Sequence, residues 1–335
     1  MAKFGLSPFL VVLMLLSGGA VKGQNGSGRE MVPAMFIFGD SLIDNGNNNN
    51  IPSFAKANYY PYGIDFNGGP TGRFSNGYKL ITHDSTICRL YHNWICFEQV
   101  GRIPFDQQIR NFENTLNQLA GNLGAANMAT ALARCIFFVG MGSNDYLNNY
   151  LMPNYPTRNQ YNGPQYADLL VQTYNQQLTR LYNLGARKFV IAGLGLMGCI
   201  PSILAQSTSG SCSEEVNLLV QPFNENVKNM LNNFNSNLPG ARFIFADTVH
   251  MFQDILLNAR SYGFTVINRG CCGIGRNRGQ ITCLPFQTPC PNRNQYVFWD
   301  AFHPTEAVNI LMGRMAFNGN HNFVYPINIK QLAEL

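Results

Sequence analysis

Beyond Gly23 the sequence has no apolar run long enough to cross a bilayer, so no membrane-spanning helix is expected there. It has no cluster of lysines or arginines along one element, and the electrostatic footprint of a nucleic-acid binder is missing with it. Formal net charge is only +5 over 335 residues, and two positive charges, Lys3 and Lys22, belong to the first 23 positions. Histidines number five, so few side chains can act as a base near neutral pH.

The N-terminus is different. Lys3 precedes an unbroken apolar stretch, Phe9 to Leu16, followed by Ser17, Gly18, Gly19 and Ala20. That stretch is too short for a bilayer and suits a secretory signal peptide cleaved near Gly23. Residues 1–23 are therefore expected to be removed, leaving residues 24–335 as a single exported domain. Asn25-Gly26-Ser27 is a glycosylation sequon, with Asn25 as its acceptor.

Nine cysteines then fall in an oxidising compartment, where disulfides are the default. Cys271, Cys272, Cys283 and Cys290 lack the regular spacing of a tetrahedral zinc site, so a disulfide-stapled loop is expected and no metal. Cys199 and Cys212 flank a second loop that they could close. Cys88 and Cys96 lie together in the interval 78–100. An odd count leaves a thiol over, and Cys135, inside the apolar run "CIFFVG", is the candidate for a buried one.

Strand-like and helix-like runs alternate along the chain. "MFIFGDS", "CIFFVGMGSND", "ARKFVIAGLG" and "ARFIFAD" each read as a short apolar strand. Leu170, Tyr174, Leu178, Leu181 and Tyr182 recur at helical spacing and are followed by the stop residue Gly185. A second helical face carries Val216, Leu219, Phe223, Val227, Met230 and Phe234. Strands without internal alternation, separated by helices, imply a parallel sheet covered on both faces and hence an α/β fold.

Three of these strands end in Gly-containing polar turns, "GDSL", "GSND" and "GLGLMG", which a parallel sheet gathers at one rim, where ligands bind. A serine hydroxyl is a poor nucleophile until an adjacent base takes its proton, and the base needs a group to hold its tautomer. Ser41 in "GDSL" is the candidate nucleophile, although a serine there could instead cap a helix. His303 in "FWDAFHPTEA" is the candidate base and Asp300 its orienting carboxylate. The developing oxyanion needs donors, and the Ser41 backbone N–H and the Asn144 side chain can supply them. His83 and His92 sit in an atypical stretch, His250 begins a helix-like run and His321 lies in the tail, so each makes a poorer base. "GLGLMG" also matches the dinucleotide fingerprint, yet Cys199 and Pro201 interrupt the helix such a fingerprint should open.

The blocks "FIFGDSLIDNGNNN", "NYYPYGIDFNGGPTGRFSNG", "GSNDYLNNY", "GARKFVIAGLGLMGCIP", "NRGCCGIGRNRGQITCLP" and "YVFWDAFHPTEA" resemble, in order, those of the plant GDSL-motif esterase/lipase family, within the SGNH hydrolases. The resemblance implies a flavodoxin-like three-layer α/β/α sandwich on a five-stranded parallel core. It implies Ser41, Asp300 and His303 as a catalytic triad, with Asn144 as an oxyanion donor. The implied activity is hydrolysis of acyl esters or lipids by a secreted monomer of the cell wall or apoplast, with no cofactor. Acyl transfer by the same groups is an alternative, as is a catalytically impaired member. The impaired reading has a definite source. Between "GRFSNG" and "GRIPFDQQIRNF" the family carries a longer segment whose glycine N–H completes the oxyanion hole, whereas here Tyr78 to Val100 contains no glycine. The walls that set acyl length are expected from residues 45–66 and 146–161 and from Trp299.

Overall fold

A computed structural model describes residues 31–53, 55–80, 103–207 and 209–335. The expected signal peptide, the Asn25 sequon, Cys88, Cys96 and most of the 78–100 interval lie outside the described residues. In chain order the main elements begin with β1 (Met35–Gly39), α1 (Phe105–Leu123), α2 (Ala125–Arg134), β2 (Ile136–Gly140), α3 (Gly163–Asn183) and β3 (Lys188–Ala192). They continue with α4 (Glu214–Asn237), β4 (Arg242–Ala246), α5 (Thr248–Leu257), β5 (Val266–Gly270), β6 (Tyr296–Phe298), α6 (Glu306–Asn318), β7 (Val324–Tyr325) and α7 (Ile329–Glu334).

The four apolar runs form four adjacent strands of one five-stranded sheet, ordered β1-β2-β3-β4-β7. The first four strands are parallel and in register, Gly39 opposite Gly140 and Ala192 opposite Ala246. The fifth differs from the all-parallel core that the resemblance implies: β7 is a two-residue antiparallel addition to β4. Because side chains alternate across a strand, each run serves both faces. Phe36, Phe38, Phe137, Phe189, Phe243 and Phe245 point to one face and pack under α1, α3 and α4. Ile37, Ile136, Phe138, Val190 and Ile244 point to the other and pack under α5, α6 and α7. The result is three layers. The aromatic face is well interlocked, with the rings of Phe189 and Phe243 stacked 4.2 Å apart and Phe36 stacked on Phe137 at 5.0 Å.

The two helices legible from spacing start at side-chain caps. In α3 the Asn162 side chain accepts from Gln165 N while Gln165 reaches back to the Asn162 backbone, and Pro164 fits a first turn that has no use for its N–H. In α4 the Ser213 hydroxyl accepts from Val216 N.

A third cluster stands apart from the sheet. Tyr62, Phe74, Trp299 and four cysteines pack together, the cysteines paired as Cys271–Cys290 and Cys272–Cys283. Cys199–Cys212 closes the other expected loop, and Cys135 is a buried free thiol. With separations of 11 to 19 residues, each bond removes denatured-state entropy worth about 3 kcal/mol in the chain-entropy view.

Candidate active site

Ser41 follows β1 by two residues, at the carboxyl rim of the sheet. No helix starts on it. Ile43 N donates to Asp40 O at 3.1 Å, closing a tight turn that lifts Ser41 above the strand end. Gly39 permits the approach, since a Cβ there would lie 2.2 Å from Ile43 Cδ1 and 2.9 Å from Gly140 O. Its backbone is further held by the buried Gln108 amide, which accepts from Gly39 N and donates to Gly39 O, both at 3.2 Å.

His303 arrives from the other end of the chain. After β6, Trp299 N donates to His303 O at 2.8 Å, so residues 299–303 form a closed loop. Cys271 N and Cys272 N donate to Phe298 O and Trp299 O, at 3.0 and 2.7 Å, which ties this loop to the disulfide cluster. His303 Nε2 lies 2.8 Å from Ser41 Oγ, and its Nδ1 lies 2.8 Å from each Asp300 carboxylate oxygen. The Phe74 ring covers the imidazole at 5.0 Å. Hydroxyl, imidazole and carboxylate, 262 positions apart at the extremes, therefore stand in one hydrogen-bonded row.

Asp300 is fully buried. Burial alone would raise its pKa, but His303, the Tyr62 hydroxyl and the Phe302 N–H outweigh it, and the carboxyl is held below its ordinary value. Tyr62 donates to Asp300 Oδ2 at 2.7 Å, and Phe302 N and His303 N donate to Oδ1 at 2.8 Å. Burial first, and then the Asp300 charge, push Tyr62 well above the usual tyrosine value, so it stays a donor. Beneath Ser41, the buried Lys79 ammonium donates to Ser41 O at 2.9 Å and Phe74 O at 2.8 Å. One lysine thus holds the carbonyls of Ser41 and of Phe74, whose ring packs on His303.

Asn144 comes from the turn after β2, where Gly142 adopts φ +115° and a short helical turn follows. Its Nδ2 donates to Asp40 Oδ2 at 3.2 Å, its Oδ1 accepts from Asn148, and Ser143 Oγ makes a short bond to the same Asp40 oxygen. Asp40 also accepts from Leu42 N at 2.9 Å. Asp40 therefore couples the Ser41 and Asn144 turns.

These turns open on a cavity of about 340 Å³. Ser41, His303 and Asn144 line one part, and Ile43, Phe138, Phe252, Phe298 and Met312 make much of the rest apolar. The expected first wall contributes Asn48, Ser53, Ala55, Lys56, Tyr59 and Tyr62, and the second Leu147 and Asn148. Trp299, expected as a wall, is instead wholly buried in the disulfide cluster, because the closed loop turns its side chain away from the rim. "GLGLMG" contributes residues 193–197 to the lining and leads into a three-residue turn and Cys199, not a helix that could hold a pyrophosphate. A second hollow, between α3 and α4 beside Asp168 and Asn226, is shallow and has no nucleophile paired with a base. Among the described residues no group of three or more His, Cys, Asp and Glu side chains could hold a metal.

The GDSL-like lipase/acylhydrolase family model matches residues 35–315. A GDSL esterase/lipase of Arabidopsis thaliana, At1g71691, is 62% identical over 92% of this chain and 88% of its own. A second from the same plant, At1g29670, is 44% identical over 98% and 99%. The chain belongs to the GDSL-like lipase/acylhydrolase family. The first alignment spans 336 positions although only 92% of a 335-residue chain takes part, so residues are missing here at a few tens of aligned positions.

Proposed function

We propose that the chain is an exported carboxylic ester hydrolase acting through an acyl-enzyme on Ser41. The observation that carries this is the row Ser41 Oγ, His303, Asp300, with 2.8 Å at each imidazole nitrogen. Asp300 fixes the tautomer in which Nδ1 carries the proton, leaving Nε2 to accept from the serine. As Ser41 Oγ attacks the acyl carbon, His303 takes its proton, and the Ser41 N–H and Asn144 amide meet the oxyanion. His303 then protonates the leaving alcohol, and a water activated in the same way releases the acid. The relatives' names, GDSL esterase/lipase, support this chemistry. The apolar cavity beside Ser41 supports an acyl substrate. The apolar segment before Gly23, together with three disulfides, supports export.

A fluorophosphonate probe, which reacts only with an activated serine, tests the reading directly. Wild type should label and hydrolyse short p-nitrophenyl esters, while Ser41→Ala does neither, and an unlabelled wild type would end the proposal.

A further inference from the structure

The disulfide cluster that supports the triad loop also shapes the surface beside the cavity mouth. Its outer part carries Ile281, Leu284 and Phe286, which are 49%, 41% and 89% exposed. Phe286 has φ +62°, a conformation that bulky residues rarely adopt, and with so little of the ring covered no internal packing repays it. The loop is fastened against the cavity wall. Phe286 N donates to Tyr60 O at 2.8 Å, Tyr59 Oη donates to Cys283 O at 2.9 Å, and Thr282 itself lines the cavity with Tyr59 and Tyr62. On the mouth itself Leu42 and Phe302 are each more than a third exposed. Apolar surface therefore runs from the cleft onto the stapled loop.

Charge along this stretch has one sign. Between Asp254 and Asp300 the chain holds five arginines and no acidic residue. Arg293 is engaged by Asp65 and Arg278 reaches Cys271 O; Arg269, over the Tyr296 ring at 5.8 Å, and Arg276, at the hairpin tip formed by the Ile274 and Ile281 bridge, are both exposed to solvent. Exposed aromatic and aliphatic side chains flanked by arginine are the composition of an interfacial anchor, and the arginines select a negatively charged surface.

We propose that the Cys271–Cys290 loop seats the cavity mouth on an anionic lipid surface. Phe286, Leu284 and Ile281 enter the apolar boundary while Arg269 and Arg276 meet the headgroups. The two disulfides hold these side chains outward, so no ordering of the loop is required on contact. That the surface carries the substrate rests on the ester-hydrolase reading; the docking does not.

Cosedimentation of the full chain with vesicles of phosphatidylglycerol mixed into phosphatidylcholine tests the proposal without any turnover. Wild type should pellet with the mixed vesicles, less with phosphatidylcholine alone, and less again as salt rises. Phe286→Ser combined with Leu284→Ser should lower the partition at least about tenfold, from the apolar area no longer buried. Its turnover of a soluble p-nitrophenyl ester and its melting temperature should remain those of wild type. A wild type that ignores the mixed vesicles, binds phosphatidylcholine equally, or partitions no better than the double variant overturns the anchor. Binding by a protein without esterase activity would keep the anchor and remove the enzyme reading.

Discussion

Lys79 shows how much a single buried residue can ask of this site. Burial lowers its pKa from 10.5 to about 7, against the pull of Asp44, Asp300 and Asp40. The unfolded chain holds that proton up to about pH 10.4, so between roughly pH 7 and 10 it binds more protons than the folded one, and stability rises with pH. The gain is lost as pH falls through that window and is constant below it. Lys79→Met should therefore flatten the climb in urea midpoint between about pH 7 and 9, where the ordinary lysine slope approaches about 1.4 kcal/mol per unit. The tyrosines with raised values act only above their own ordinary range and leave this window clear. Parallel curves for wild type and variant would show that the amine is not forced toward neutrality. The Asp300 effect has the same sign in a separate window, since its folded pKa is also lowered: its stabilisation is present above the ordinary carboxylate range and is lost as pH falls into acid.

Among elements, β1 leads into Ser41 and has a strand on one side only among the described residues. Its last residue finds a substitute ladder in the Gln108 amide from α1, which satisfies both backbone groups of Gly39 in a buried place. Gln108→Leu leaves that N–H and C=O without these partners, at about 1–3 kcal/mol for each. Urea unfolding should show the loss, and kcat should fall with it because Ser41 is two residues away; an unchanged midpoint and rate would mean water replaces the amide at no cost. This contact also marks where sequence stops being legible. The four parallel strands could be read because parallel strands buried on both faces are continuous apolar runs, and their polar endings gave Ser41 and Asn144. In α1 the spacing of Phe105, Ile109, Phe112 and Leu116 carried the same helical signal as α3 and was equally available. β7 has two residues and no pattern to find, and β5 is largely exposed, so neither announces itself. Tyr62, Lys79 and Gln108 matter only through partners 238, 38 and 69 positions away, which no local pattern encodes.

At the scale of the whole molecule, the chain brings Ser41 and His303 together from 262 positions apart while lacking residues that its relatives have. By the family resemblance, the shortened interval after "GRFSNG" is where a glycine N–H would complete the oxyanion hole, and Tyr78 to Val100 contains no glycine. On the proposed mechanism two donors, the Ser41 N–H and Asn144, are then left to hold a charge that three would share. Removing one donor of this kind costs about 10²–10³ in turnover. Replacing residues 81–100, which leaves Lys79 and its bonds to Ser41 and Phe74 in place, with the corresponding segment of the 62% identical relative should raise kcat on a short p-nitrophenyl ester by about that factor. The exchange also changes the length of the chain, so melting temperature must be followed beside the rate. If the missing donor is what limits this enzyme, kcat rises at temperatures where both proteins are fully folded. Equal rates there would mean that Ser41 and Asn144 suffice, or that another backbone N–H already fills the third place.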